Sequence, residues 1–91
     1  MSASKPTIDV VFKKGRPVAA FLRLRADELG RSHRTVPLRP TITAHYDAAG
    51  LPIGLELALP WEGGLAELND ALREVGGGAV DAADLVALRA Y

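Results

Sequence analysis

The fold is decided by residues 42–57, which read ITAHYDAAGLPIGLEL. On both sides of the segment Asp47–Gly50, apolar side chains alternate with polar or small ones. Alternation with a period of two is typical of half-buried strands, and Asp followed three residues later by Gly is typical of a tight turn. These residues therefore predict two antiparallel strands joined by a turn.

The register of this hairpin has two possible solutions. A four-residue loop places Tyr46 opposite Leu51 and puts the apolar side chains of both strands on one face of the sheet. A three-residue loop with a glycine bulge shifts the pairing by one residue and mixes the faces. We favour the four-residue loop because it keeps the polar side chains of the first strand together on the solvent side. These are Arg39, Thr41, Thr43 and His45.

Two further strands are predicted upstream of this hairpin. Residues 8–13 and 18–25 both alternate, and the Gly and Pro of residues 14–17 (KGRP) suit a turn between them. The first strand of the decisive hairpin extends back to Thr35, and the prolines at 37 and 40 place its beginning at an edge or a bend of the sheet. The expected sheet therefore has four antiparallel strands, arranged as two hairpins over residues 8–59.

Helical spacing replaces the alternation after Trp61. Leu65, Leu68, Leu72 and Val75 recur on one helical face, and the glycines at 76–78 end that helix and form a hinge. Asp81 is suited to cap a second short helix that reaches the end of the chain. We predict a single α+β domain over residues 1–91, with its helical extension (62–91) on one face of the sheet.

Composition limits the possible classes of protein. Ninety-one residues allow one small core, and the chain is 48% hydrophobic with no cysteine. We therefore expect no disulfide framework, no thiolate metal site and no cysteine nucleophile. No apolar run approaches a membrane span, and the first residues lack the apolar core of a signal peptide. These features predict a cytoplasmic protein that does not interact with membranes.

The charges are balanced in total but divided along the chain. Residues 1–46 carry nine Lys and Arg against three Asp and Glu, whereas residues 47–91 carry two against eight. Acidic helices that pack on a basic sheet explain this division most simply. An anion-binding face is the other explanation.

Residues suited to catalysis are few. Ser32, His33 and Asp27 lie on one loop, where adjacent residues rarely reach the geometry of a catalytic triad. His45 and Asp47, with Glu56 on the next strand, lack the close spacing of a zinc site. No phosphate-binding loop is present, because the glycine run follows a helix. The sequence therefore predicts a non-enzymatic protein without a metal or cofactor.

The predicted outer face of the sheet is the candidate binding surface. It combines basic side chains with one aromatic ring that would be exposed there, a feature that often marks an interface. The residues expected to touch a partner are Phe21, Arg23, Arg25, Arg39 and His45. We predict a protein-interaction module that forms a homodimer or binds a small protein. Nucleic-acid binding through phosphate contacts and base stacking is the alternative.

Two segments resemble a bacterial family known as domain of unknown function family 2283, over about residues 8–59. They are residues 12–24 (FKKGRPVAAFLRL) and 44–57 (AHYDAAGLPIGLEL). The second is the more specific, with Tyr46, Asp47, Gly50, Gly54 and Glu56 matching the family pattern. The chain departs from the family in its basic first turn and its longer helical tail. The resemblance implies a small antiparallel sheet without established enzymatic activity, and an antitoxin-like binding role.

Overall fold

The structure, a computed structural model, describes residues 5–24 and 31–91. In this part of the chain, five strands form one antiparallel sheet in the order β1-β2-β5-β4-β3, and two helices follow the last strand. The elements are β1 (Thr7–Lys13), β2 (Arg16–Arg23), β3 (Arg34–Arg39), β4 (Ile42–Tyr46), β5 (Pro52–Ala58), α1 (Leu65–Glu74) and α2 (Ala82–Arg89). The predicted α+β class with an antiparallel sheet is confirmed.

The sheet has five strands rather than four because the predicted long strand over residues 35–46 is itself a hairpin. It turns at Pro40 and Thr41, and Arg39 pairs with Ile42 across the turn. Proline fixes φ near the value required at the first central position of common turns, so Pro40 favours reversal of the chain over extension. The prolines that we read as marks of an edge or bend therefore mark a complete turn.

The β4–β5 hairpin differs from both registers considered above. Tyr46 pairs with Pro52, and a bulge then shifts the pairing so that Ala44 lies opposite Leu55. The loop is longer than expected because the Asp47 carboxylate accepts hydrogen bonds from the backbone N–H groups of Ala49 and Leu51, at 3.0 and 2.9 Å. The pairing differs from the favoured register by an even number of residues, so the apolar sets of both strands still share one face, as predicted.

The first hairpin has a tighter turn than the KGRP segment suggested. Lys13 pairs with Arg16, which leaves Lys14 and Gly15 as the two loop residues. Both have positive φ, 53° and 76°, as the hairpin turn that matches strand twist requires. Arg16 and Pro17 therefore belong to β2.

One face of the sheet is covered by both helices. Leu22 of β2, Leu55 and Leu57 of β5 and the α1 side chains Leu68 and Leu72 are fully buried in one cluster. Residues of β4 and α2 complete the cluster: Ile42, Ala44 and Leu88. The α1 stripe predicted from helical spacing thus lies against the sheet and forms its core.

The segment between the helices is held by specific hydrogen bonds. Gly76 has a φ of 76°, and Gly77 N–H bonds to the Leu72 carbonyl, as in a Schellman cap. Asn69 both donates to the Val80 carbonyl (3.1 Å) and accepts from the Val80 N–H (2.9 Å). Asp81 then caps α2, as predicted, in a capping box with Asp84.

Ion pairs connect the basic and acidic halves of the chain. Lys5 lies 2.8 Å from the Asp84 carboxylate on α2, and Arg39 pairs with Glu74 on α1. Part of the charge division is therefore explained by acidic helices that pack beside basic strands. Among the residues described, no helix is long and apolar enough to cross a membrane.

Candidate functional site

The candidate site lies on the face of the sheet opposite the helices, which we call the open face. Strand pairing arranges its residues in three rows that run across the strands. The histidine row contains Thr7, Arg23, Gly54, His45 and Thr35; the middle row contains Asp9, Phe21, Glu56, Thr43 and Pro37; the apolar row contains Val11, Ala19 and Ala58.

Two basic side chains of the open face, Arg23 and His45, are paired with acids on the same face. Arg23 lies 3.0 Å from the Asp9 carboxylate on the neighbouring strand. His45 lies 2.8 Å from the Glu56 carboxylate, also across a strand pair. The face therefore carries acidic and basic side chains side by side.

His45 is held from both sides of its ring. Its Nε2 lies 2.8 Å from Glu56 Oε1, and its Nδ1 lies 2.8 Å from Ser32 Oγ. An ionised carboxylate only accepts hydrogen bonds, so in the neutral ring the proton sits on Nε2 and Nδ1 accepts from the Ser32 hydroxyl. Ser32 and Glu56 are thus joined through the imidazole in one hydrogen-bonded chain.

Phe21 is half-buried, whereas the sequence predicted an exposed ring. Its ring lies over Gly54 and contacts His45 edge-on, with ring centroids 5.2 Å apart. A Cβ at residue 54 would lie 2.4 Å from Phe21 Cε1, so only glycine leaves room for the ring. Gly54 therefore allows Phe21 to restrict the position of the His45 ring.

Arg39 is not on the open face, contrary to our prediction. Pro37 pairs with Thr43, but Arg39 pairs with Ile42, so a bulge at Leu38 reverses the side on which the following residue lies. Arg39 therefore faces the helices, where its hydrogen bond to Glu74 raises the pKa of the guanidinium. Thr41, also expected on this face, lies in the turn and accepts a hydrogen bond from Trp61 Nε1 at 3.2 Å.

Three of the five predicted partner-binding residues lie together on the open face: Phe21, Arg23 and His45. Arg25 lies outside the residues described. The contact between Ser32 and His45 was not predicted from the sequence. Ser32 lies in a segment without periodic apolar residues, and it meets His45 only because β3 and β4 pair as an antiparallel hairpin. A signal for Gly54 was present, since an isolated glycine within a strand indicates a close approach of another group.

An open cavity of about 510 Å³ lies beside the hydrogen-bonded chain. It is lined by Arg31, Ser32, His33, Asp47, Ala48 and Ala49. Within residues 5–24 and 31–91, no three His, Asp or Glu side chains are grouped closely enough to hold a metal ion.

Comparison of the chain with protein-family models, curated proteins and solved structures gave no match. The resemblance to domain of unknown function family 2283 therefore stays a prediction. Inferences about function depend on the contacts of this chain alone.

Proposed function

We propose that the protein is a small interaction module that forms a homodimer through the open face of its sheet. The observation that carries the proposal is the apolar row at one end of that face. Val11 is 48% exposed there, on the edge strand β1, and its neighbour in the row is the small side chain of Ala19. Ala19 itself is buried, so Val11 and the exposed Ala58 are the apolar side chains that this row offers to a partner, and exposed apolar side chains favour association.

The charges of the open face favour a second copy of the chain as the partner. Arg23 and Asp9 present both signs, so two copies related by a two-fold axis can place each charge near its opposite. The formal net charge of the chain is zero, so two copies do not repel each other overall.

The size of the face suits a modest dimer interface. Five strands spaced about 4.8 Å apart and about seven residues long cover roughly 550 Å² in projection. A standard interface buries about 800 Å² on each partner. A dimer that uses this whole face is thus expected to be reversible and to depend on protein concentration.

The test is the molar mass in solution, measured by sedimentation equilibrium across a range of protein concentrations. We expect a dimer for the natural chain and a monomer for Val11→Glu, because the new charge would be buried at the interface. Val86→Glu is the matched control, since Val86 is 70% exposed but lies on α2. It should leave the dimer intact.

Circular dichroism of both variants separates dissociation from unfolding. A natural chain that stays monomeric at all concentrations would overturn the proposed homodimer. Dissociation of the two variants to the same extent would show that the interface lies elsewhere.

An antitoxin-like role is a narrower form of this proposal, in which the open face binds a small basic protein. Its support is the family resemblance, together with the exposed Val11 on this face. Co-expression with a defined small basic partner tests it. We expect a complex of one-to-one stoichiometry that Val11→Glu weakens and Val86→Glu does not.

Nucleic-acid binding is the alternative, and two observations weaken it. Arg39 faces the helices, and the Arg23 guanidinium already has a carboxylate partner. Binding to a single-stranded oligonucleotide should therefore be weak. Affinity that falls steeply with salt and is lost in Arg23→Glu would support this alternative over the homodimer.

A further inference from the structure

The hydrogen-bonded chain on the open face is arranged as in a catalytic triad. Ser32 takes the place of the nucleophile, His45 that of the base, and Glu56 that of the group that orients the base. Both hydrogen bonds of the chain measure 2.8 Å, within the range expected for catalytic groups. The triad considered in the sequence analysis combined Ser32 with His33 and Asp27, and Asp27 lies outside the residues described. In the structure the base comes from β4 and the carboxylate from β5, so the sheet itself fixes their separation.

The direction of the hydrogen bonds makes His45 competent as a base. Glu56 accepts the Nε2 proton, which leaves the Nδ1 lone pair directed at the Ser32 hydroxyl. When the imidazole takes up a proton, the resulting cation is stabilised by the carboxylate 2.8 Å away. The ring is held in this orientation by Phe21, and the His45 side chain is only 15% exposed.

The nucleophile of this chain is accessible to a small molecule. Ser32 is exposed and lines the open cavity of about 510 Å³. Arg31 lines the same cavity and provides a positive charge there, and positive charge stabilises the oxyanion that forms when a carbonyl carbon is attacked. A base, a nucleophile, a cation and room for a substrate therefore occur together.

We propose that Ser32 is a nucleophile activated by His45 and that its substrates are small carboxylic esters. The Ser32 hydroxyl transfers its proton to His45 Nδ1 while Oγ forms a bond to the ester carbonyl carbon. The bond to the leaving oxygen then breaks, and His45 returns the proton to the departing alcohol. Water hydrolyses the acyl-serine by the same route, with release of the carboxylic acid and restoration of the hydroxyl.

This activity can be tested separately from the proposed homodimer, although both involve the open face. The apolar row lies two rows from His45, about 13 Å along the strands at 3.3 Å per residue. Loss of the dimer in Val11→Glu should leave the serine reactive, and loss of the serine should leave the dimer intact. The two proposals can therefore fail separately.

The first experiment labels the full chain with a fluorophosphonate, which forms a Ser Oγ–phosphorus bond and releases fluoride. Intact mass and peptide mapping should find one label, on Ser32. Ser32→Ala should abolish it, and His45→Gln should slow labelling about a hundredfold, the typical size of general-base catalysis. Tyr91→Phe, which removes an exposed hydroxyl that follows α2 and lies outside the candidate site, is the matched control and should label at the natural rate.

The second experiment assigns Glu56 as a positioning residue, with hydrolysis of p-nitrophenyl acetate as the readout. Glu56→Gln should lower kcat about tenfold and leave KM unchanged, because Glu56 touches His45 and not the substrate. The loss is smaller than the roughly 10⁴-fold known for a buried triad carboxylate, since the Glu56 side chain is 46% exposed.

Three outcomes would overturn the proposal. They are no label on the folded natural chain, a label that is unaffected by Ser32→Ala, and a labelling rate that does not exceed that of the urea-unfolded chain. Circular dichroism of each variant confirms that a lost label reflects lost chemistry and not unfolding.

Discussion

The two faces of the sheet are formed by the same strands but are held by different interactions. On β5, Leu55 and Leu57 are fully buried under the helices. The residues next to them in sequence, Gly54 and Glu56, belong to the open face, where Glu56 bonds to His45. Successive side chains of a strand point to opposite faces, so neighbours in sequence meet different surroundings. One strand can thus contribute to stability with one residue and to a site with the next.

The energies of the two faces differ accordingly. Burial of a leucine side chain contributes about 1.5–3 kcal/mol, whereas an exposed ion pair contributes about 0–1 kcal/mol. Most of the stability should therefore come from the helix-covered face. The open face can change its polar residues at little cost to folding, which suits a surface used for binding or catalysis.

The largest effect is expected from adjacent substitutions on β5. Leu57→Ala should lower the free energy of unfolding by about 2–5 kcal/mol because it leaves a cavity in the core. Glu56→Ala should lower it by about 1 kcal/mol or less, since it removes one partly exposed hydrogen bond to His45. Urea unfolding monitored by circular dichroism measures both. Equal losses would show that the open face contributes to stability as much as the core.

An intermediate effect is expected from Gly54→Ala. The new Cβ would lie 2.4 Å from the Phe21 ring and 2.7 Å from the Leu22 carbonyl oxygen. We expect a loss of about 1–3 kcal/mol, the usual cost of overpacking. Phe21→Ala in the same chain should recover part of it by removing the ring, whereas the clash with the backbone oxygen persists. A double-mutant cycle by urea unfolding measures this coupling, and strictly additive losses would contradict the proposed contact.

The smallest effect concerns the polar margin of the helix-covered face. The pKa of Asp81 is lowered from its ordinary value of 3.8, chiefly by the hydrogen bond from the Asp84 backbone N–H and further by the charge of Lys5. A lowered pKa in the folded state stabilises the fold above the ordinary value, and this stabilisation is lost as the pH falls through the folded-state pKa. Asp81→Asn keeps a helix cap without the charge.

Unfolding in urea at about pH 5 and about pH 2.5 tests this expectation. The natural chain should lose more stability on acidification than Asp81→Asn, because the variant has no proton to take up at residue 81. Identical losses in the two proteins would show that the Asp81 carboxylate does not contribute to the pH dependence.

Much of the architecture could be predicted from local patterns. The alternation around Ala44 and Leu55 placed both apolar sets on one face, the spacing of Leu68 and Leu72 marked the buried side of α1, and Asp81 was recognised as a cap. These predictions succeed because strand and helix periodicity depend on backbone geometry and on separation of apolar from polar residues.

The candidate site was harder to predict than the fold, because it depends on local irregularities of the strands. The bulge at Leu38 moves Arg39 to the helix-covered face of the sheet, and no pattern in the sequence predicts this bulge. Likewise, Ser32 reaches His45 only because β3 and β4 form a hairpin that brings the preceding segment back to the sheet. A shift of one residue reverses every following side chain, so a single missed bulge changes the membership of a surface.

The sequence by itself determined the class of fold, the helix-covered core and the residue types available on the open face. Periodicity and composition act locally, and burial of apolar surface then forces the strands and helices together. The tertiary structure alone decided which charges pair, why residue 54 must be glycine and how Ser32, His45 and Glu56 meet. Those contacts join residues from different elements at distances of about 3 Å, and only the register and bulges of the folded sheet set such distances.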